Sequence, residues 1–474
     1  MKRIQLAASG WALSCLLAAC GGGGTDASTQ DAGTQAEAAQ AAQATLTEQA
    51  QAQRRPAPEQ FTHGLREVND TVAWSQTEVT VGGITATRVY SDHVTAVNAD
   101  SSFIFDRLDA NGHAFERYTA DVDGNRSNRL VLANGNNCAY SPNRNFLNFP
   151  LSVGKTWLSS WTQRCAQGSQ ETATQLAGVT ARETITIPAG SFDTLRVSYV
   201  TLFTKSNDLN LVNGNKGTAS YLQEASCWWS VDAKRVVKCS FKNTFNGAAP
   251  ASYLKSYTLE ASYVGKQYFA GAKQVGQNNA WTETDTLVDG TPLTRNYNQI
   301  VRTLNADGGY SSDYVDLNGA MTERYTYDKD DNRLGRYIAS VANTCSYSPR
   351  RDFFDFPLYV GKSWSTSWLY SCSSGYHENA AHTAQVQALE SVTVGAGTFD
   401  ALRIHFQTQF TNSNDAGLAT GLSGSAAYSQ EGSCWWAPAL QRMIKCDIDT
   451  DFGATAPASY RKHYLMSITA IVTP

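Results

Sequence analysis

The segment VTARETITIPAGSFDTLRVSY, residues 179–199, carries the pattern that decides the fold. Apolar and polar side chains alternate on both sides of a Pro-Ala-Gly-Ser turn, which is the period of two β-strands joined by a hairpin. The same pattern returns 207 positions later as VQALESVTVGAGTFDALRIHF, residues 386–406. A fixed self-similarity period of this kind indicates two copies of one β-rich unit in tandem.

The 207-residue offset holds without insertion or deletion from about residue 71 to about residue 264. A copy of this length can bury a core of its own. Closely spaced turn signals and the lack of a long amphipathic helix favour an all-β fold. We therefore predict two antiparallel β domains, at residues 66–268 and 273–474, each a sandwich, a barrel or a half-barrel.

None of the seven histidines has a histidine counterpart at this offset. A site that is present in both copies and needs histidine, such as a Ser-His-Asp triad or a His-ligated zinc centre, is therefore excluded. A histidine-dependent site in one copy alone is still allowed.

The first nineteen residues are typical of a secretory signal, because Lys2 and Arg3 precede an apolar stretch too short to cross a bilayer. The stretch ends in Leu17-Ala18-Ala19-Cys20, which resembles the bacterial lipobox, and this implies cleavage and lipidation at Cys20. Gly21 follows, where an aspartate would signal inner-membrane retention, so we predict an outer-membrane lipoprotein. Residues 20–60, rich in Ala, Gln, Gly and Thr, would form a flexible tether.

Four cysteines recur in each copy, which favours disulfides in an exported protein. They are Cys138, Cys165, Cys227 and Cys239, with Cys345, Cys372, Cys434 and Cys446 as counterparts. A turn between Cys227 and Cys239 would bring these two opposite each other, which leaves Cys138 and Cys165 to pair. Four cysteines allow three connectivities, so this pairing is one of three.

The formal net charge is −4, which gives no electrostatic case for binding nucleic acid. The membrane is instead expected as a partner through the lipid anchor.

Two loops have the oxygen-ligand spacing of a calcium site, Asp121-x-Asp123-x-Asn125 and Asp328-x-Asp330-x-Asn332. Neither has the closing glutamate of a calcium-binding loop, so the alternative is that Asp, Asn and Gly simply form turns. No cofactor is required by the sequence, and calcium is the single candidate.

Adjacent tryptophans on one strand point to opposite faces of a sheet. Alternation with Cys227 and Cys239 assigns Trp229 to the core, and its counterpart Trp436 with it. Trp228 and Trp435 would then lie on the outer face. There they would serve either as a platform for a glycan or peptide or as structural residues.

The motifs FPLxVGKxW (149–157), PAGxFDxLR (188–196) and the Trp-Trp pair resemble those of uncharacterised bacterial envelope lipoproteins. The second copy departs by Gly395 in place of the proline and carries Trp435-Trp436-Ala437-Pro438. The resemblance implies a β-rich envelope domain, related to the half-barrels of lipoprotein carriers. It brings no activity.

The function favoured by the sequence is a lipid-anchored envelope protein with two non-catalytic domains that bind a ligand or partner. One alternative is a carrier of apolar ligands or lipoproteins, which needs a large cavity. The other is a polysaccharide-active hydrolase, which needs two carboxyls about 5–10 Å apart, one of them with a raised pKa.

Overall fold

The computed structural model describes residues 59–207, 219–245, 249–418, 426–452 and 456–472. The predicted signal peptide, Cys20 and nearly all of the predicted tether lie outside these residues. Among the described residues no helix is long and apolar enough to cross a membrane.

The described residues of the first copy form twelve strands. They are β1 (Asp70–Thr80), β2 (Thr85–Val97), β3 (Phe103–Leu108), β4 (Ala114–Ala120), β5 (Arg126–Val131), β6 (Asn136–Arg144), β7 (Thr156–Cys165), β8 (Gln170–Ile187), β9 (Gly190–Ser206), β10 (Ala219–Ser230), β11 (Arg235–Phe245) and β12 (Leu254–Lys266).

The described residues of the second copy also form twelve strands, with one 3-10 turn (Ala339–Val341). They are β13 (Asn278–Leu287), β14 (Pro292–Leu304), β15 (Tyr310–Asp316), β16 (Met321–Tyr327), β17 (Arg333–Ile338), β18 (Asn343–Arg351), β19 (Ser363–Cys372), β20 (His377–Val394), β21 (Gly397–Ser413), β22 (Ala426–Ala437), β23 (Arg442–Asp451) and β24 (Arg461–Val472).

Each copy is a closed antiparallel barrel in which every strand pairs with its neighbours along the chain. Closure comes from β1, which pairs with both β2 and β12, and from β13, which pairs with both β14 and β24. The prediction of two tandem antiparallel β domains is confirmed. Because both sheets close, the half-barrel that the resemblance implied does not describe them.

The FPLxVGKxW motif builds the core at one end of barrel 1. The loop after β6 carries Leu151, which is fully buried, and Phe149, whose ring centroid lies 5.4 Å from that of Trp229. Lys155 Nζ donates to the Pro150 carbonyl at 2.8 Å, and Gly154 takes the positive φ of +90° that its turn requires. The motif residues therefore fold the loop into the barrel.

Phe61 belongs to the same core. Its N–H donates to the Leu151 carbonyl at 2.8 Å, and its carbonyl accepts from the Leu151 N–H at 2.7 Å. Its counterpart, Tyr268, makes the same bridge to Leu358 in barrel 2. Each repeat thus begins near residues 60 and 267. The predicted range 66–268 leaves out Phe61, and the predicted range 273–474 leaves out Tyr268.

Four disulfides join neighbouring strands. They are Cys138–Cys165, Cys227–Cys239, Cys345–Cys372 and Cys434–Cys446. In each bond the two cysteines are directly opposite across an antiparallel pair. These are the pairs that the hairpin argument names, and none of them crosses between the two copies.

Candidate ligand-binding cavities

A barrel of eight strands is just filled by its own side chains, whereas twelve strands enclose more space. Barrel 1 contains a cavity of about 630 Å³, here cavity 1. Its apolar and aromatic wall comes mainly from β1–β3 and from β11 and β12, and includes Trp74, Phe103, Phe105, Phe241, Tyr257 and Leu259. The size is within the range of about 300–1,000 Å³ found for small-molecule sites.

Barrel 2 contains a smaller cavity of about 150 Å³, cavity 2. Most of its lining residues are the counterparts, 207 positions later, of residues that line cavity 1. Among its lining residues, Tyr310 and Phe354 stand where barrel 1 has the smaller Phe103 and Leu147. A further space of about 670 Å³, cavity 3, lies in the same barrel and shares Tyr314, Arg333, Tyr464 and Met466 with cavity 2.

The lining of cavities 1 and 2 is cationic. Six basic side chains line cavity 1, against three acidic ones: Arg66, Arg107, Arg126, Arg129, Arg144 and Arg235 against Asp70, Asp92 and Asp123. Four basic side chains line cavity 2, against one acidic one: Lys273, Arg333, Arg351 and Arg442 against Asp331. Each lining has an excess of three positive charges, although the whole chain carries a net −4.

Arg107 is held by the protein itself. Its Nε donates to Asp92 Oδ1 at 2.8 Å, and its guanidinium carbon lies 4.4 Å from the centroid of the Tyr90 ring. In barrel 2 the arginine and its aspartate are both replaced, by Tyr314 and Gln299. The ion pair is thus lost as a unit, which leaves the charge balance of the cavity unchanged.

Glu116 is similarly engaged, by Tyr118 and by Arg129, whose Nε donates to Glu116 Oε1 at 3.0 Å. Burial raises the pKa of Glu116, but the hydrogen bonds from Tyr118 and Arg129 outweigh burial and the pKa is lowered. Glu323 and Arg336 repeat the pair in barrel 2, where the pKa of Glu323 is lowered for the same reason. These matched carboxylates are ionised at neutral pH, so they do not supply the proton donor of a glycosidase.

Barrel 2 also has a carboxyl group whose pKa is raised. Glu378 is buried and accepts hydrogen bonds from Tyr376 at 2.7 Å and from Tyr428 at 2.8 Å. Burial raises its pKa above the ordinary value despite these bonds. Its counterpart in barrel 1, Glu171, accepts from Tyr221 at 3.3 Å, while Ser169 stands where barrel 2 has Tyr376.

The candidate calcium loops use their oxygens internally. Asp121 Oδ1 accepts from the N–H groups of Asp123 and Asn125, and Asp328 Oδ1 accepts from those of Asp330 and Asn332. Asn125 Oδ1 turns away, to the N–H groups of Phe146 and Leu147 at 2.8 and 3.0 Å.

Asn332 anchors Phe354 in the same way, at 2.9 Å. Within the described ranges, no group of three His, Cys, Asp or Glu residues is placed to hold a metal ion. The contacts are those of the turn alternative, and calcium binding stays a prediction that a titration would test.

The twin tryptophans divide between the two faces. Trp229 and Trp436 are each 1% exposed. Trp228 and Trp435 are half-buried, and their Nε1 atoms donate to Glu183 at 2.8 Å and to Glu390 at 2.7 Å. The β8–β9 hairpin crosses β12 through the bond from Ala189 N to the Ala261 carbonyl, and it covers Trp228.

Lys238 and Lys445 lie over the rings of Trp228 and Trp435, at 5.5 and 4.6 Å from the ring centroids. These contacts are those expected of structural residues. Ligand binding by Trp228 and Trp435 stays an untested prediction.

Sequence reasoning missed the arginines of the cavities, although a signal was present. Arg126-x-x-Arg129 and Arg144 recur as Arg333-x-x-Arg336 and Arg351. What the sequence lacked was the direction of these strands' side chains, since only the closed barrel shows which face is inside.

No known family profile matches the sequence. No curated protein matches it either. Several solved structures resemble it at low identity, among them the following three.

One is a Bacteroides fragilis protein named as exported and YmcC-like in fold (11% identity, TM-score 0.28, covering 44% of this chain and 100% of that one). The second is the hypothetical lipoprotein YmcC from Escherichia coli, with 12% identity and a TM-score of 0.24, covering 41% of this chain and 85% of that one. The third is a Parabacteroides distasonis protein named as a lipoprotein, with 13% identity and a TM-score of 0.24, covering 44% of this chain and 100% of that one. These likenesses are too weak to assign a family or a function.

Proposed function

We propose that this chain is a lipid-anchored, non-catalytic envelope protein whose two barrels each bind a small amphiphilic molecule in the interior. The observation that supports this most is that cavities 1 and 2 are lined at matched positions by an aromatic wall and an excess of basic side chains. A concave site that combines apolar walls with a few polar groups is the usual form of a ligand pocket.

The anchor rests on the lipobox-like Leu17-Ala18-Ala19-Cys20, and Gly21 after it favours the outer membrane. Metabolic labelling with a fatty-acid probe should mark the wild-type chain and should not mark Cys20→Ser. Fractionation of the labelled cells would show which membrane holds it. Label retained by Cys20→Ser would contradict lipidation at this residue.

A carrier of apolar ligands is the second candidate, and the aromatic wall of cavity 1 favours it. The charged residues in the same cavity distinguish the two candidates, because a carrier of purely apolar molecules gains nothing from them. A hydrolase has less support, since the matched carboxylates Glu116 and Glu323 are ion-paired.

Interior binding can be tested with a neutral fluorescent probe, N-phenyl-1-naphthylamine, on the purified chain. Leu259 lines cavity 1 and its counterpart Met466 lines cavities 2 and 3. We expect Leu259→Trp to weaken probe binding in barrel 1 and Met466→Trp to weaken it in barrel 2, because the larger ring takes up part of the space.

Leu158→Trp is the matched control, since Leu158 is 71% exposed on the outside of barrel 1. It should leave probe binding unchanged. Melting curves of all three variants show that the barrels remain folded. Equal probe fluorescence in the three variants would place the probe outside the barrels and contradict the proposal.

A further inference from the structure

Two arginines face each other directly across neighbouring strands of each barrel. Arg126 on β5 is paired in register with Arg144 on β6, and Arg333 on β17 is paired with Arg351 on β18. All four line the cavities. Like charges directly opposite across an antiparallel pair destabilise it, so this arrangement does not serve the sheet.

None of the four guanidinium groups has a hydrogen bond or an ion pair with any residue in the described part of the chain. Their contacts are with aromatic rings, which accept the flat face of a guanidinium. Arg126 and Arg333 lie 4.2 and 4.3 Å from the centroids of Tyr118 and Tyr325. Arg144 lies 5.6 Å from the centroid of the Trp161 ring, and Arg351 lies 5.4 Å from that of Trp368.

The Nε atoms of Arg144 and Arg351 are buried and have no acceptor among the residues that the structure describes. A buried donor without an acceptor is costly, and most buried polar groups in proteins are paired. Stacking orients each guanidinium but leaves its N–H edge free. That edge binds carboxylate or phosphate oxygens in pairs.

Other arginines of the cavities differ from these four, because they have partners within the protein. Arg129 and Arg336, three residues further along the same strands, are each bonded to a glutamate. Arg107 and Asp92 are both absent from barrel 2. Arg129 is thus kept together with its glutamate, and Arg107 is lost together with its aspartate, whereas the four unpaired arginines occur in both barrels.

We infer that each arginine pair, Arg126 with Arg144 and Arg333 with Arg351, binds the oxyanion group of an amphiphilic ligand. The inference rests on the proposed function, because it assumes that the cavities bind a ligand. A carboxylate and a phosphate share this chemistry. In barrel 1 the remainder of the ligand would pack on Phe103 and Phe105 in cavity 1.

The two sites should differ in the length of ligand that they accept. Cavity 1, at about 630 Å³, has room for an acyl chain beyond the oxyanion. Cavity 2, at about 150 Å³, holds little more than the anionic group unless the chain continues into cavity 3. Long-chain anions should therefore bind first to barrel 1.

The test uses three probes with the same ten-carbon chain: decanoate, decyl phosphate and the neutral decanol. Each is titrated against the full chain by displacement of N-phenyl-1-naphthylamine, and native mass spectrometry counts bound molecules. We expect both anions to bind at least tenfold more tightly than decanol. The better of the two anions then identifies the group as carboxylate or phosphate.

The variant that removes the barrel 1 pair is Arg126→Met with Arg144→Met. It should bind the anions at least tenfold more weakly and decanol as before. Its melting temperature should not fall, because a like-charge contact is removed. The control, Arg117→Met, removes one positive charge from the outer face, where Arg117 pairs with Asp106, and should leave all three affinities unchanged.

Each outcome decides between the proposals. Equal affinity for the anions and decanol, or unchanged anion affinity in the double variant, would overturn the oxyanion site while leaving interior binding intact. A double variant that melts earlier with unchanged affinities would show that the arginines are structural. Failure of all three probes to displace the dye or to bind would overturn both proposals.

Discussion

His382 offers a direct test of the packing inside barrel 2. It is 1% exposed, and its Nδ1 lies 2.8 Å from Thr408 Oγ1. Its Nε2 is buried and has no hydrogen-bond partner among the described residues. Burial, aided by the charge of Arg351, lowers the pKa of the His382 imidazole to about 3.

In the unfolded chain the same imidazole has its ordinary pKa of 6.5. The unfolded state therefore takes up a proton at a higher pH than the folded state does. The stability linked to His382 is complete above about pH 6.5 and is lost progressively as the pH falls towards about 3. Between pH 7 and pH 5, this residue should lower the free energy of unfolding by about 2 kcal/mol.

The first copy supplies the matched variant, because Gln175 occupies the same position there and accepts a hydrogen bond from Thr201 at 3.2 Å. Thr201 and Thr408 are themselves counterparts. His382→Gln should keep this side-chain contact and remove the proton linkage. The variant should then lose about 2 kcal/mol less than the wild type between pH 7 and pH 5, or about 4–8 °C in Tm for a barrel of this size.

Urea unfolding followed by tryptophan fluorescence at both pH values measures the difference. The six other histidines are common to both proteins, so their contributions cancel. An identical pH dependence in wild type and variant would refute the reasoning. So would an NMR titration in which the His382 ring protonates near pH 6.

Three further predictions concern stability, and a fourth concerns calcium. Peptide mapping without reduction should recover the four disulfides and no free thiol in the folded domains, and reduction should cost about 2–4 kcal/mol per bond; a bond between the two copies would contradict the two-barrel fold. Fragments 59–266 and 267–474 should each melt cooperatively alone, whereas aggregation of both with folding only on mixing would show that neither barrel is independent. Trp229→Ala and Trp436→Ala should each cost about 3–5 kcal/mol, and Trp228→Ala should cost clearly less because that ring is only half-buried. If the Asp121 and Asp328 carboxylates act only as turn residues, calcium titration of the purified chain should show no saturable change in Tm. A saturable rise in Tm with calcium would instead support a metal site at these loops.

The sequence by itself determined the features that depend on nearby residues. The 207-residue repeat and the alternation within residues 179–199 established two β domains. A turn between Cys227 and Cys239, twelve positions apart, favoured their pairing. Strand period and hairpin register are local properties, so they can be read without knowing the rest of the fold.

Tertiary structure alone decided the closure of the barrels and the identity of the site. Closure depends on β1 meeting β12, a pairing between the two ends of the repeat that no local pattern encodes. The direction of Arg126 and Arg144 into a cavity follows from closure. The role of Asn125 in anchoring a loop and the cover over Trp228 depend on contacts between segments far apart in the sequence. The physical reason is that a cavity arises from the mismatch between the width of a twelve-stranded barrel and the volume of its side chains, which is a property of the assembled sheet.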